Sequence, residues 1–172
     1  MKIAILGFSG CGKSTLARLL GEKHQLPVLH LDSVHFEAGW VEKERSVELA
    51  EVQAFLDSHD GWVIDGNYSN LEQQRRLAEA DQIILLELNR FICLWRVLKR
   101  WLSYRGSTRP DMAADCNEKI DGEFLRWVLF IGRNAKKKAM YNSIAQSYPH
   151  KCIRIRSVKQ QRELLEQMKR GN

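Results

Sequence analysis

The sequence predicts a single α/β domain with a doubly wound parallel sheet, and three observations predict it. Short apolar runs of strand length alternate with segments of helical period along the chain. These runs are continuously apolar, which is typical of parallel strands buried on both faces. The length of 172 residues and the 44% of hydrophobic residues suit one globular domain, which we expect to span residues 1–172.

Five strands and six helices are predicted in order along the chain. The strands are the apolar runs Lys2–Leu6, Val28–Leu31, Trp62–Asp65, Gln82–Leu88 and Lys151–Arg156. The helices, placed by period and capping residues, cover residues 13–24, 42–58, 70–79, 90–104, 122–147 and 158–170. Ser69 and Glu72 form a predicted capping box at the start of the third helix.

The fourth predicted helix carries an apolar stripe and leads into a stretch without periodicity. The stripe is predicted to face the core and consists of Phe91, Leu94, Trp95, Leu98, Trp101 and Leu102. Gly106 and Pro110 interrupt the residues that follow. A stretch of this length without periodicity in a compact domain is typical of a functional lid, so we expect a lid over about 103–121.

The strongest functional motif is the run Gly7-Phe-Ser-Gly-Cys-Gly-Lys-Ser14, which matches the phosphate-binding pattern G-x-x-x-x-G-K-[ST]. It follows the first predicted strand and opens the first helix, where backbone N–H groups bind phosphate oxygens. The motif therefore predicts an ATP site. Its expected members are Gly7, Ser9, Gly10, Cys11, Gly12, Lys13, Ser14 and Thr15.

Two side chains of this loop have predicted chemical roles. Lys13 would reach the β and γ phosphates, and Ser14 would bind Mg²⁺ through its hydroxyl group. Cys11 is a candidate redox-sensitive thiol near a helix N-terminus, although the backbone contacts need nothing from its side chain. The alternative is a glycine-rich turn that binds no ligand.

Two aspartates each end a predicted strand, Asp32 the second and Asp65 the third. Ligands of doubly wound sheets bind outside the carboxyl ends of the strands, so both carboxylates would face the phosphate site. Asp65 is the candidate Mg²⁺ ligand, or else a turn residue that stabilises Gly66. Asp32 is the candidate base that accepts a proton from an alcohol acceptor, or else a helix N-cap or a turn residue.

His30 and His35 flank Asp32 in the pattern His-x-Asp-x-x-His. This spacing could hold a metal ion, but a structural or substrate-contacting role is favoured because His35 lies in the connection after the strand. We expect His35 to contact the acceptor, within an acceptor-binding segment of about residues 33–60.

Arginines surround the predicted lid. Arg96, Arg100, Arg105 and Arg109 approach and enter it. Arg126, Arg133 and Lys137 follow it at spacings of 7 and 4 residues, which predicts one shared helical face. Cations that close over the transferred phosphoryl group would stabilise its developing charge.

The charge distribution supports a second hypothesis. The net charge of +6 is uneven, because residues 1–86 hold 8 basic and 13 acidic residues, whereas residues 87–172 hold 19 and 8. The basic half suits a nucleotide-binding regulator that contacts DNA phosphates, although no motif for nucleic-acid binding is evident. In a third hypothesis, the nucleotide site serves only stability.

Composition also bears on location. The four cysteines lack the paired spacing of a disulfide framework or a zinc site. Apolar runs are too short for a membrane span or a signal peptide. We therefore expect a cytoplasmic protein in a reducing compartment, and the sequence carries no signal for an oligomeric state.

Several segments together resemble a known bacterial family, the DNA topology modulation proteins, which are similar to adenylate kinase. The segments are Gly7–Ser14, Val28–Phe36, Gly39–Val41, Trp62–Tyr68, Asn89–Phe91, Tyr104–Met112 and the helix around Arg133. The resemblance covers nearly the whole chain. It implies a P-loop fold of the nucleoside-monophosphate-kinase type, a three-layer sandwich with strand order 2-3-1-4-5 and a short lid, and ATP as phosphoryl donor.

The resemblance also implies roles for single residues. Lys13 matches the phosphate lysine, Asp65 and Gly66 match the Asp-Gly after the third strand, and Arg100 and Arg133 match the lid arginines that stabilise the transferred group. Adenylate kinases continue with Phe-Pro-Arg, whose arginine holds the acceptor's phosphate, whereas this chain has Asn67-Tyr68-Ser69. Asn67 is therefore an expected acceptor contact, with Arg45 as a substitute phosphate clamp. The expected activity is ATP- and Mg²⁺-dependent phosphoryl transfer to a nucleotide, nucleoside or other small molecule.

Overall fold

The computed structural model describes residues 1–104, 116 and 120–170. In chain order, the strands are β1 (Lys2–Gly7), β2 (Val28–His30), β3 (Phe36–Glu37), β4 (Val41–Glu42), β5 (Trp62–Asp65), β6 (Gln82–Leu86) and β7 (Cys152–Ile155). The helices are α1 (Lys13–His24), α2 (Leu31–His35), α3 (Arg45–Ser58), α4 (Gln73–Glu79), α5 (Arg90–Tyr104), α6 (Gly122–Leu129), α7 (Ala135–Ser147) and α8 (Val158–Arg170).

The central sheet has five parallel strands in the order β2-β5-β1-β6-β7. If only these five strands are numbered, this is the order 2-3-1-4-5, so the predicted fold class and strand order are confirmed. The first strand lies in the middle, with Ile3 opposite Val63 on one side and Gln82 on the other. The loop that follows β1 is therefore at the centre of the sheet's carboxyl edge.

The sheet forms the centre of the core. Ile3–Leu6 and Ile83–Leu86 are all buried, and since successive strand residues point to opposite faces, both faces are covered by helices. Each fully buried aliphatic side chain of this kind stabilises the fold by roughly 1.5–3 kcal/mol. The continuous apolar runs in the sequence are thus explained by burial on both faces.

The connection between β2 and α3 differs from the prediction. Strands β3 and β4 form a short antiparallel hairpin, with Phe36 opposite Glu42, and α2 precedes it. The hairpin turns through Gly39 and Trp40, both with positive φ. The predicted helix over 42–58 was therefore wrong at its start, because the chain is still extended at Glu42 and α3 begins at Arg45.

Two further helix predictions need correction. The capping box is absent, because Glu72 has a left-handed backbone with no side-chain cap and instead accepts a hydrogen bond from Gln53 Nε2 at 2.9 Å. The long helix over 122–147 is broken by a short 3₁₀ turn at Ile131–Arg133. Helix α7 starts anew after Asn134, whose side chain accepts a hydrogen bond from the backbone N–H of Lys137 at 2.8 Å, a strong N-cap.

The apolar stripe of α5 was expected in the core, and this was wrong for four of its six residues, while Leu94 packs against the core and Trp101 is half-buried. Phe91, Trp95 and Leu102 are 69%, 61% and 68% exposed, and Leu98 is also exposed. Helix α5 instead buries Cys93 and Val97, which lie one turn apart on its opposite side. The packing surface is therefore formed by smaller side chains that admit close approach of α5 to the phosphate loop.

Most of the predicted lid, including Arg105 and Arg109, lies outside the described residues. In the part of the chain that is described, no helix combines the length and the apolar character that a membrane span requires.

Candidate functional site

The loop between β1 and α1 has the backbone geometry that the phosphate-binding motif predicts. Gly7 and Gly10 have φ values of +154° and +77°. A Cβ atom on Gly7 would lie 2.4 Å from the carbonyl oxygen of Leu86, and one on Gly10 would lie 2.6 Å from that of Cys93. Both positions therefore require glycine, because β6 and α5 press directly against the loop.

The start of α1 is open to an anion. Gly12 occupies the N-cap position and provides no side-chain cap, so the first N–H groups of this 12-residue helix remain available. Lys13 Nζ donates a weak hydrogen bond of 3.4 Å to the Phe8 carbonyl, within the loop itself. Ser9, Gly10, Gly12, Lys13, Ser14 and Thr15 line a large cleft.

Ser14 and Asp65, the two predicted Mg²⁺ ligands, lie within hydrogen-bond distance of each other. Ser14 Oγ donates a 3.0 Å hydrogen bond to Asp65 Oδ2, although the two residues lie on different elements. Asp65 is only 3% exposed, and His30 Nδ1 contacts its other carboxylate oxygen. The Asp65 carboxylate is therefore bound by Ser14 and His30, whereas the alternative role was to stabilise the turn at Gly66. A hydroxyl and a carboxylate are hard oxygen donors that suit Mg²⁺, which keeps its other positions for phosphates and water.

The His-x-Asp-x-x-His pattern does not form a metal site. His30 contacts Asp65, Asp32 accepts a hydrogen bond from Tyr68, and His35 Nδ1 bonds Glu48 Oε1 at 2.6 Å. Across residues 1–104, 116 and 120–170, no group of three or more His, Cys, Asp or Glu side chains could hold a metal by itself.

Asp32 lies in the first turn of α2 and lines the cleft. It is not an N-cap, since that position belongs to His30. The Tyr68 hydroxyl donates to its Oδ1 at 2.9 Å, and burial first, then the Asp32 charge, raises the pKa of Tyr68. Tyr68 therefore stays protonated and keeps donating to Asp32.

Asn67 supports the phosphate loop. Its Nδ2 donates to the Gly7 carbonyl at 2.7 Å, while its Oδ1 accepts from the Gly7 N–H at 3.1 Å and the Tyr141 hydroxyl at 3.0 Å. Although Asn67 also lines the cleft, its amide is largely occupied by Gly7 and Tyr141. Arg76, fully buried on α4, holds the preceding loop by donating to the Tyr68 and Leu71 carbonyls.

Two predicted acceptor contacts lie away from the cleft lining of the described residues. His35 is packed between the rings of Phe36 and Tyr68, with centroid distances of 4.6 and 4.8 Å. Arg45 is the exposed first residue of α3. The hairpin that separates these two residues along the chain was missed by the sequence analysis.

The predicted cations divide into two groups. Arg100 and Lys137 line the cleft, as does Arg96, which donates from Nη1 to the Cys11 carbonyl and from Nη2 to Gln161 Oε1, both at 2.9 Å. Burial, and then the charge of Lys13, lowers the pKa of Lys137.

Arg133 belongs to the second group. It is buried, donates to the carbonyls of Val128 and Leu88 at 2.9 and 2.7 Å, and lies over the Phe8 ring at 4.2 Å. The expected helical face shared by Arg126, Arg133 and Lys137 was wrong, because the 3₁₀ turn separates them. Arg133 lines a smaller neighbouring cavity, outside the main cleft.

Two buried thiols lie beneath the phosphate loop. Cys11 Sγ and Cys93 Sγ are 3.2 Å apart, and all four cysteines are reduced. The hydrogen bond with Cys93, together with the Lys13 charge, holds the pKa of Cys11 well below that of an ordinary thiol, while burial opposes this shift. The pKa of Cys93 is correspondingly raised.

Sequence reasoning missed several residues of the cleft. Phe36, Trp40, Tyr68, Trp127 and Gln161 all line it, and Trp127 Nε1 donates to Ser9 Oγ at 3.2 Å. Tyr68 could have been found, since it follows the carboxyl end of β5 directly. Gln161, 150 residues beyond Cys11, carries no local signal.

The cleft has a volume of about 1210 Å³. This exceeds the roughly 300–1,000 Å³ of a pocket for one ligand, so a nucleotide and a second small molecule could be bound together. A parallel α/β sheet with this loop at its central strand defines a P-loop NTPase-like protein that binds nucleotides.

The family follows from a direct comparison. A family model described as "AAA domain" (AAA_18) matches residues 3–125, and the chain belongs to this family. The narrower resemblance to DNA topology modulation proteins is not confirmed by this match and stays a prediction. No curated protein matches the chain.

Two solved structures are similar to the chain. An uncharacterized protein from Eubacterium ventriosum ATCC 27560 is 15% identical, with a TM-score of 0.52 over 99% of both chains, and this similarity supports the fold alone. A gluconokinase from Sinorhizobium meliloti 1021 is also 15% identical, with a TM-score of 0.48 over 91% of this chain and 82% of that one.

Proposed function

We propose that the protein is an ATP- and Mg²⁺-dependent phosphotransferase that acts on a small hydroxyl-bearing acceptor. The observation that carries the proposal is the presence of Asp32, a carboxylate with no metal role, in the same cleft as the phosphate loop and Ser14. A protein that only bound or hydrolysed a nucleotide would not need a second, aromatic-lined half of the cleft.

The donor phosphates would be held mainly by backbone. The N–H groups of the loop and of the start of α1 bind phosphate oxygens, and Lys13 exchanges its weak bond to Phe8 for a bond to the terminal phosphates. Arg100 and Lys137 would neutralise charge that develops on the transferred group. Arg133 is a positioning residue in this proposal, since it supports Phe8 from behind.

Ser14 and Asp65 would hold Mg²⁺, which when bound neutralises phosphate charge and polarises the transferred group. His30 fixes the orientation of the Asp65 carboxylate by contacting the oxygen that Ser14 does not use. The donor set thus fits this cation without further acidic side chains.

Asp32 would act on the acceptor. An alcohol is a poor nucleophile until its proton is accepted during attack, and a carboxylate within hydrogen-bond distance can accept it. Tyr68 holds one Asp32 oxygen through a 2.9 Å hydrogen bond, which leaves the other oxygen for the acceptor hydroxyl.

The test is ADP release with Mg²⁺ and ATP across nucleosides, nucleoside monophosphates and small alcohols. Acceptor-dependent ADP release is expected, and Lys13→Ala and Asp32→Asn should each abolish it while remaining folded. Asp57→Asn is the matched control, because Asp57 is exposed and pairs only with Arg75 in the described part of the chain. ATP binding without any stimulation by an acceptor would overturn the proposal.

The alternative, a nucleotide-binding regulator acting on DNA, has weaker support. Two cations of the basic half are used internally: Lys151 donates to the Ala78 and Ala80 carbonyls, and Arg154 makes two hydrogen bonds to Glu87. Lys136 and Lys138 are exposed. Duplex binding that falls steeply with salt, and less steeply in a Lys136→Ala/Lys138→Ala variant, would favour this alternative.

A further inference from the structure

The cleft beyond Asp32 is walled by aromatic rings. Tyr68 and His35 are 4.8 Å apart between centroids, His35 and Phe36 4.6 Å, and Phe36 and Trp40 5.2 Å. Three of these residues, Phe36, Trp40 and Tyr68, line the cleft. We call this row of four rings the aromatic wall.

The aromatic wall is held in place before any ligand binds. His35, inside the row, is fixed by its 2.6 Å bond to Glu48, which is 2% exposed on α3. Phe36 is held in the β3–β4 hairpin by its pairing with Glu42. A wall fixed by the fold loses little conformational entropy when a ligand binds, which favours affinity.

The charges on this side of the cleft are unfavourable for a phosphate. In segments 28–48 and 65–70, which form it, the basic residues other than histidine are Lys43 and Arg45. Lys43 bonds both oxygens of Glu51, at 2.7 and 2.8 Å. Arg45 is exposed and lies outside the cleft lining of the described chain. The acidic side chain that this side presents to the cleft is that of Asp32, beside His30 and the uncharged polar residues Asn67, Ser69 and Asn70. The lysines and arginines of the cleft lining lie on other segments, namely Lys13, Arg18, Arg96, Arg100 and Lys137.

We propose that the acceptor is an uncharged alcohol with a planar ring, of the nucleoside type, and not a nucleoside monophosphate. Its ring stacks on the aromatic wall, since offset and edge contacts between rings are favourable, and its hydroxyl faces Asp32. This inference rests on the proposed phosphotransferase function and specifies the acceptor of the same cleft.

The transfer step balances without a further reactant. The acceptor hydroxyl oxygen forms a bond to the terminal phosphorus of ATP while its proton passes to Asp32. The bond from that phosphorus to the bridging oxygen breaks, and ADP leaves with the electron pair. Asp32 then releases the proton to water, so the products are the phosphorylated alcohol, ADP and one proton.

The test compares matched acceptors by binding and by transfer. Calorimetry with the full chain, Mg²⁺ and a non-hydrolysable ATP analogue measures the affinity of nucleosides and of their 5′-monophosphates. Nucleosides should bind more tightly. Trp40→Leu should weaken their binding about 10-fold, the usual cost of losing one stacking partner, without changing the affinity for the ATP analogue.

Trp95→Leu is the matched control, because Trp95 is an exposed tryptophan on α5 that lies outside the cleft lining of the described residues. Its nucleoside affinity should equal that of the unaltered chain. Tighter binding of the monophosphates, or equal affinities of the Trp40→Leu and Trp95→Leu variants, would overturn the inference. Phosphoryl transfer to nucleoside monophosphates would overturn the inference about the acceptor but would leave the proposed phosphotransferase function intact. Nucleoside binding without transfer to any acceptor would instead overturn that proposal and leave the binding preference standing.

Discussion

The two sides of the cleft are built in different ways. The side that we propose for phosphate consists mainly of eight consecutive residues, Gly7–Ser14, which would act through backbone N–H groups and two side chains. The side that we propose for the acceptor consists of side chains from separate segments, with Asp32 on α2, Trp40 at the hairpin turn and Tyr68 after β5.

This difference has a physical cause. Phosphates are recognised by a concave backbone, and the conformation of a short loop is encoded locally by its glycines. An acceptor ring is recognised by a surface of rings, which requires several elements to converge. We therefore expect changes on the phosphate side to affect every acceptor equally, and changes on the acceptor side to discriminate between acceptors.

The largest expected effect comes from Asp65, the proposed Mg²⁺ ligand on the phosphate side. Asp65→Asn removes the carboxylate that accepts from Ser14 and contacts His30. Loss of metal-assisted charge stabilisation, worth several kcal/mol, should lower the transfer rate about a hundredfold or more. The measurement is kcat as a function of Mg²⁺ concentration, for at least two acceptors. A loss that depended on the acceptor would contradict the assignment to the phosphate side.

The next largest effect compares alanine substitutions at two glycines that have nearly the same φ angle but different surroundings. Gly10 and Gly39 have φ values of +77° and +75°, but a Cβ on Gly10 would meet Cys93 O at 2.6 Å, whereas none of the described atoms lies within 4 Å of one on Gly39. Gly39→Ala should cost about 1–2 kcal/mol of unfolding free energy from the backbone alone. Gly10→Ala should cost about 1–3 kcal/mol more from overpacking.

Urea unfolding measures both costs, and nucleotide binding gives a second readout. Gly10→Ala should also weaken ATP binding, because its clash moves the phosphate loop, while Gly39→Ala should leave ATP binding unchanged. Equal destabilisation by the two variants would mean that the phosphate loop is not packed against α5 as described.

The same division explains what could be predicted from the sequence. The strand order, the glycine loop and the pairing of Ser14 with Asp65 all follow from local apolar runs, a contiguous motif and the rule that ligands bind at strand ends. The hairpin at Phe36–Glu42 was missed, because strands of two residues have too few positions to show a period.

The errors on α5 and at Arg133 have a different origin. The exposed stripe of α5 has the period of a core face, but the phosphate loop packs against Cys93 and Val97, whose small side chains admit the loop. The period of a helix reveals an apolar face but not whether another element covers it. Arg133 was placed on the face of a helix that in fact ends before it, at Leu129, because the N-cap signal of Asn134 was overlooked.

A smaller effect is expected on the acceptor side from Tyr68→Phe. The variant keeps the ring of the aromatic wall but removes the 2.9 Å hydrogen bond to Asp32. Loss of one hydrogen bond to a charged group costs about 1.5 kcal/mol at the lower end, which is about tenfold in kcat/KM for the acceptor. ATP affinity should not change.

The loss of activity in Tyr68→Phe should not depend on pH near neutrality. Since burial and the Asp32 charge raise the pKa of Tyr68, its hydroxyl stays protonated across the neutral range, and the loss of about tenfold should be constant there. Tyr148→Phe is the control, since Tyr148 lies at the end of α7 against Lys151 and outside the cleft lining of the described residues. A loss that varied with pH near neutrality would show that another group sets the effect.

The smallest expected effect tests whether a residue outside the Gly7–Ser14 motif influences the phosphate side. The Sγ atom of Cys93, on α5, is hydrogen-bonded to that of Cys11 within the loop, and this bond lowers the pKa of the Cys11 thiol. Because the pKa of Cys11 is lower in the folded chain than in the unfolded one, its thiolate contributes stability that is complete above the unfolded pKa. That contribution is lost as pH falls through the folded pKa.

Cys93→Ala removes the hydrogen-bond partner, so the pKa of Cys11 should rise and the gain in stability with increasing pH should shrink. Cys93→Ser keeps a hydroxyl group at this position. It should therefore retain more of the lowered pKa of Cys11 and more of the gain in stability with pH. The measurements are the pH titration of thiolate absorbance and urea unfolding at several pH values, in a chain whose Cys152 is replaced by serine. Identical titrations for the two variants would mean that Cys93 does not act on the loop through this bond. A difference would mean that the phosphate side, although encoded by eight contiguous residues, is tuned electrostatically by a helix 82 residues away.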